Sequence, residues 1–164
     1  MHMTADDQRT AADLLDAVGP AFGKLRRTAL LEVDNPISAK DLSRTLVLNL
    51  VLEHSSHSEV TVGMIAELLG SDPSVASRMV SDTIKAGYLT RAASQQDGRR
   101  TILQLSDSGR DLMTRFRKHQ RDAYDYITAD WSEHDRLELA RLLVRYVDSV
   151  AALKERSRTK EGDQ

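Results

Sequence analysis

Cysteine is absent from the 164 residues. That excludes disulfides, Cys-ligated zinc or iron–sulfur sites, thiol nucleophiles and peroxide sensing through a thiol. Aromatic residues are scarce, with one Trp, four Tyr and two Phe, which counts against a stacking platform for single-stranded nucleic acid. Long apolar runs are missing as well. The most apolar stretch, Leu46 to Leu52, is interrupted by Asn49 and falls far short of the roughly 20 residues a membrane span requires. The opening residues, MHMTADDQRT, hold no apolar segment of the secretory kind, so no signal peptide is expected and a cytoplasmic location is. Enzyme motifs are wanting too: there is no G-x-S-x-G elbow, P-loop, H-E-x-x-H or G-x-G-x-x-G, and the chain does not read as an enzyme.

What is present suffices for a folded domain. Hydrophobic residues make up 40% of the chain and the formal net charge is only −2, a balance unlike that of disordered chains. The length suits about one domain with a sizeable core.

Residues 11–33 read as a helix, because Leu14, Val18, Phe22, Leu25 and Ala29 recur at three- and four-residue steps. Pro20 lies inside it and predicts a kink or break at Gly19-Pro20. Asn35-Pro36 signals a turn. A second helix, about 38–54, opens on Ser38 and is apolar on most sides from Leu46 to Leu52, which predicts burial. The stretch His54-Ser55-Ser56-His57-Ser58 closes it.

The central stretch is the most informative. Thr61 is a good N-cap for a short helix carrying Met64, Ile65, Leu68 and Leu69, and Gly70 stops it. Pro73 suits the first turn of the next helix, which runs to about Ala86 and ends at Gly87. Two short helices joined by a three- to four-residue turn that starts with Gly form a helix-turn-helix. Directly after it, Asp97-Gly98 separates two strand-like runs, 88–94 and 101–106, and is a strong hairpin signal. A hairpin in that place is a wing. Leu103 and Leu105 share one face of its second strand.

A long helix then runs from Ser106 to about Thr128, with a predicted stripe of Leu112, Phe116, Gln120, Ala123 and Ile127. Its basic run, Arg115 to Arg121, reads as a solvated face. The last helix starts at Ser132, with Asp135 as capping partner. It carries Leu137, Ala140, Val144, Val147 and Ala151 along one side, and Leu139, Leu142, Leu143, Tyr146 and Val150 widen the stripe. So apolar a helix needs a partner. The charged tail, 154–164, is expected to fray.

Over residues 61–110 the sequence resembles the MarR family of winged-helix transcription regulators. Thr61…Ile65-Ala66…Leu69-Gly70 resembles the family's first motif helix, and Ser74-Val75-Ala76-Ser77-Arg78 the start of its recognition helix. Gly87-Tyr88-Leu89…Arg91 is similar to the exit into the wing, Asp97-Gly98-Arg99 to the family's D-x-R wing, and Leu105-Ser106…Gly109 to the re-entry into helix. Thr83 stands where the family usually has Leu, and Pro20 is unusual. The resemblance implies a mainly α fold with a small β-hairpin wing: a winged-helix unit at about 38–106 and dimerisation helices at about 5–36 and 107–153. It implies a homodimeric, sequence-specific binder of double-stranded DNA in a bacterial or archaeal cell, a repressor of a pseudo-palindromic operator released by a small-molecule effector, with no cofactor.

The expected DNA-contacting set is Thr61, Ser71, Asp72, Ser74, Val75, Ser77 and Arg78 from the helix-turn-helix and Gln96, Arg99 and Arg100 from the wing, with Asp97 and Gly98 positioning it. Arg78 suits guanine O6 and N7 or a phosphate, and Val75 either a thymine methyl or the core. By the resemblance, Arg99 reaches the minor groove and Asp97 holds it by an ion pair. Residues 71–100 hold five cations (Arg78, Lys85, Arg91, Arg99, Arg100) against three anions (Asp72, Asp82, Asp97). The remainder is acidic, with 18 cations and 22 anions, as befits a specific binder rather than a DNA coater. The expected dimer interface comprises Leu14, Val18, Phe22, Leu137, Leu143, Val144 and Val147.

Two other readings stay open. Glu53, His54, His57 and Glu59 cluster in sequence, with His119 elsewhere, which admits a metal-responsive regulator of the same fold. A winged helix can also serve only as a protein-interaction and dimerisation module, although that role does not call for Arg78, Arg99 and Arg100.

Overall fold

A computed structural model describes residues 10–27 and 37–161; of Arg26, Arg27, Lys154, Glu155 and 157–161 it describes the backbone alone. Residues 5–9 and 28–36, including Ala29 and the expected Asn35-Pro36 turn, lie outside the described residues, as do 162–164.

The chain divides into two compact units, Met1–Asn35 and Pro36–Gln164. The first contains α1 (Ala11–Arg27). Thr10 caps it: the Asp13 backbone N–H donates to Thr10 Oγ1 at 3.2 Å, and Thr10 N–H donates back to the Asp13 carboxylate at 3.0 Å. The expected break at Pro20 does not occur; α1 passes through it. Proline removes only one N–H from the ladder, and the bonds on either side suffice to carry the helix across. Leu14, Val18, Phe22 and Leu25 are all exposed on α1.

The second unit runs α2 (Ala39–His54), α3 (Val62–Leu69), α4 (Pro73–Lys85), β1 (Leu89–Ala93), β2 (Thr101–Leu105), α5 (Asp107–Ile127) and α6 (Glu133–Glu161). Each helix start has its cap. Ser38, Thr61, Asp72 and Ser106 accept from backbone N–H groups two or three residues on, which satisfies donors that the helices leave orphaned. Gly70 ends α3 at a φ of 58°, in the left-handed region that glycine enters without steric cost. The strands pair antiparallel, from Leu89 opposite Leu105 to Ala93 opposite Thr101.

The core lies where α2, α3, α4 and the hairpin meet α5. Val47, Leu48 and Val51 of α2 join Ile65, Val80, Leu89, Leu103 and Leu112, all essentially removed from water. Burial of α2 is less complete than its composition suggests: Leu46 is exposed, while Leu50 and Leu52 pack in part against the core. Thr83 sits in this core, at the position where the resemblance implies a leucine. It is fully buried, and its hydroxyl donates to the Met79 carbonyl at 2.8 Å, so the polar group is accommodated within its own helix.

The stripe on α5 keeps Leu112, Phe116 and Ala123 of the one expected and departs from it at Gln120 and Ile127. Leu112, Met113, His119 and Ala123 are buried and Phe116 partly so, whereas Gln120 and Ile127 are exposed. Steps of four residues drift around a 3.6-residue helix, so a face is held only by alternating fours and threes, as 112, 116, 119 and 123 do. The arginines and lysine of the basic run take solvent, with Lys118 and Arg121 pairing to Asp122 and Asp125 one turn on, while His119 turns inward.

At the junction of α5 and α6 the Tyr124 hydroxyl donates to the Arg136 carbonyl at 2.5 Å, and the Arg136 guanidinium pairs with Asp125. The helix α6 does not stop at the charged tail but continues to Glu161. Its apolar residues stand in water, with Leu137 63%, Val144 61% and Val147 58% exposed.

Candidate nucleic-acid interface

The helix-turn-helix presents the start of α4 to solvent. Ala76, Val80 and Thr83 turn inward, while Ser74, Val75, Ser77 and Arg78 are exposed. The two readings of Val75 are thereby separated: at 38% exposure it faces outward, and Ala76 takes the core position. The Arg78 Nε–H donates to the Ser74 carbonyl at 3.3 Å, which lays the guanidinium back along the first turn of its own helix. Asp72 is occupied as the cap, accepting the Ser74 N–H at 2.7 Å. Hydrogen bonds from Ser74 hold its carboxyl below the ordinary Asp value. Thr61 is likewise a cap, its Oγ1 accepting the Met64 N–H at 3.2 Å. The Ser71 hydroxyl is buried in the turn with no partner among the described residues.

The wing tip is longer than a two-residue turn. Residues 94–100 join the strands, and Gly98 is not in the positive-φ region, so the Asp97-Gly98 pair marks the hairpin without forming a type I′ turn. Gln96, Arg99 and Arg100 are exposed at this tip. The expected Asp97–Arg99 ion pair is not formed. Instead Asp97 Oδ1 accepts the backbone N–H of Arg99 at 3.1 Å, and the Asp97 carbonyl accepts that of Arg100 at 2.8 Å. Asp favours such local backbone bonds in turns. The carboxylate therefore shapes the loop and does not hold the guanidinium.

Two anchors of the site are not named by any local motif. Arg44 of α2, its side chain 14% exposed, bridges Asp41 at 2.9 Å and Asp82 of α4 at 2.8 Å, and lies 5.9 Å from the centre of the Tyr88 ring. Its hydrogen bond depresses the Asp82 carboxyl, and those from Arg44 and Ser38 outweigh the burial that would raise Asp41. Both are ionised at neutral pH, so α4 is tied to α2 by charge-assisted bonds.

The second anchor is Glu59, in the loop before α3. It accepts the Ser94 hydroxyl at 2.5 Å and the Gln95 N–H at 2.7 Å. Its role differs from the metal ligand its sequence neighbours suggested. His54 Nδ1 lies 2.9 Å from the Leu50 carbonyl, and Asn49 donates to Glu53 at 2.6 Å. Among the described residues no three His, Asp or Glu side chains gather as a metal site would require. Glu53, His54 and Glu59 are drawn instead into helix-end and wing contacts.

Among the described residues no helix is long and apolar enough to cross a membrane.

Comparison with known proteins agrees with this geometry. Residues 41–100 match the family model described as MarR family. An HTH-type transcriptional regulator of Mycobacterium tuberculosis is 28% identical over 149 residues, covering 89% of this chain and 98% of that protein. The crystal structure of RV1404 from M. tuberculosis superposes with a TM-score of 0.61 at 23% identity, over 87% of this chain and 96% of that one. The Staphylococcus aureus MepR–DNA complex superposes with a TM-score of 0.53 at 16% identity, over 85% and 93% of the two chains.

Proposed function

We propose that this chain is a winged-helix transcription regulator of the MarR family, whose family model it matches over residues 41–100, not an enzyme, and that it is a homodimer that reads a pseudo-palindromic operator in double-stranded DNA. The observation that carries the reading is the exposed first turn of α4, with Ser74, Val75, Ser77 and Arg78, followed in the chain by a wing whose tip exposes Arg99 and Arg100. The major groove admits a helix, and the N-terminal residues of a recognition helix meet the base edges. Arginines at a wing tip suit the narrow minor groove, whose negative potential attracts them. That MepR, a protein of similar fold, has been solved with DNA supports the same use here.

One such unit touches too few base pairs to be selective. Two-fold pairing solves this by reading two half-sites about one helical turn apart. The exposed apolar residues of α6, and those of α1, support a second copy as the partner. In this reading the protein works in the cytoplasm as a repressor, and a small effector lowers its affinity by binding one spacing of the two reading heads better than the other. The chain's lack of cysteine leaves no thiol route for release.

Selection from a pool of randomised duplexes tests the reading. The enriched sequence is expected to be an inverted repeat with half-site centres about 10 base pairs apart; enrichment without two-fold symmetry contradicts the dimeric mode. On that duplex, Arg99→Ala is expected to weaken binding by about 1–3 kcal/mol in fluorescence anisotropy at fixed salt. Unchanged affinity removes Arg99 from the interface.

A further inference from the structure

The wing is held by a carboxylate outside it. Ser94 is buried at the base of the tip and uses its full hydrogen-bonding capacity. Its hydroxyl donates to Glu59 Oε2 at 2.5 Å and accepts the backbone N–H groups of Gln96 at 3.1 Å and Asp97 at 2.9 Å. With both lone pairs taken, Ser94 can only donate to residue 59. The other carboxylate oxygen, Oε1, accepts the Gln95 N–H at 2.7 Å. Both oxygens of residue 59 therefore must accept. A carboxylate meets that requirement and an amide, with one oxygen and one NH2, does not.

The next two residues extend the hold. The Val60 carbonyl accepts the Leu103 N–H of β2 at 2.8 Å, and Thr61 caps α3. Three consecutive residues thus register wing tip, wing strand and helix-turn-helix against one another. We infer that Glu59 is a positioning residue for DNA reading, clasping Ser94 and Gln95 so that the tip bearing Gln96, Arg99 and Arg100 keeps a fixed place relative to α4. The inference rests on the DNA-binding reading above. A functional site of this kind needs its supporting contacts to stay within fractions of an ångström of the productive geometry.

The sign of one substitution separates this from simple electrostatics. Glu59 is an anion on a surface meant for DNA, and removing its charge should by itself tighten binding to phosphates. The clasp requires the opposite. Glu59→Gln is expected to weaken binding to the selected duplex about tenfold, to accelerate amide exchange at Gln95, Gln96 and Asp97 at least tenfold in the free protein, and to flatten base preference only at the outer positions of the site. Ser94→Ala should reproduce these effects, and the double variant should add little to either, as coupled partners do. Exchange elsewhere in the core serves as the folding control and should not change.

Unchanged exchange at 95–97 overturns the clasp. Faster exchange with equal or tighter DNA binding overturns its role in reading. If the wild-type protein enriches no duplex, the DNA-binding reading itself fails and takes this inference with it, an outcome distinct from a wild type that binds and a variant that binds equally well.

Discussion

Replacing Val144 and Val147 together by aspartate is expected to convert the protein from a dimer to a monomer. In the single chain these side chains are 61% and 58% exposed, so the change costs the isolated fold little. Between two copies, the same positions would put unpaired carboxylates into an apolar contact, where a charge without a partner is heavily penalised. A loss of about 4 kcal/mol in association corresponds to a thousandfold weaker dimer. Sedimentation at micromolar concentration should give twice 18.3 kDa for the wild type and 18.3 kDa for the variant, with helical content retained. A variant that stays dimeric excludes this face of α6 from the interface.

The second large effect is at Gly109, in the first turn of α5. The helix begins under the exit of α4: the Ser106 N–H donates to the Tyr88 carbonyl at 3.1 Å, and the Ser106 hydroxyl donates to the Gly87 carbonyl at 2.6 Å. A Cβ on Gly109 would overlap the Tyr88 carbonyl oxygen and stand 3.1 Å from its carbon. Both obstacles are backbone, so either the wing entry or α5 must move. Gly109→Ala is expected to destabilise the fold by about 2–4 kcal/mol, as overpacking against a rigid neighbour does. Gly63→Ala is the internal contrast. Its nearest neighbour would be Thr61 Oγ1 at 3.8 Å, and alanine favours a helix over glycine by up to about 1 kcal/mol. Urea unfolding of both variants checks the pair, and a Gly109→Ala midpoint no lower than that of Gly63→Ala contradicts the close approach.

These two positions show what a linear reading catches. Gly109 was visible as part of a motif, but nothing in the sequence shows that a carbonyl twenty-one residues earlier lies against it. The helix-turn-helix was legible throughout, because its signals are local: Thr61 and Asp72 as caps, Gly70 in the left-handed region, Pro73 in a first turn. Each fixes backbone geometry within a few residues of itself. The wing was legible as a hairpin for the same reason.

What was not legible depends on contacts far apart in the chain. Glu59 reaches Ser94, and Arg44 reaches Asp82, across 35 and 38 residues, and neither pair belongs to a spacing rule. In the sequence Glu59 stands with the histidines beside it, and nothing there points to Ser94. The spacing of Asp97 and Arg99 suggests a side-chain ion pair, but the nearer backbone N–H is the better-placed donor. On α5, two successive steps of four lead from Leu112 to Gln120, whereas the buried position is His119. Of the kink or break that Pro20 predicts, the break does not occur, because the loss of one hydrogen bond disturbs a helix without necessarily ending it.

The central claim, specific reading of duplex DNA by α4 and the wing, is tested most directly by one titration. The full-length protein is titrated against the selected duplex and against a scrambled duplex of equal length and composition, from 50 to 200 mM salt. Binding to the selected duplex is expected to be at least about 10³-fold tighter than to the scrambled one. Its affinity should fall by roughly 10³–10⁵ across the series, the dependence given by 6–10 phosphate contacts. Equal and weak binding to both duplexes at every salt concentration would contradict the claim and favour a winged helix used for protein contacts alone.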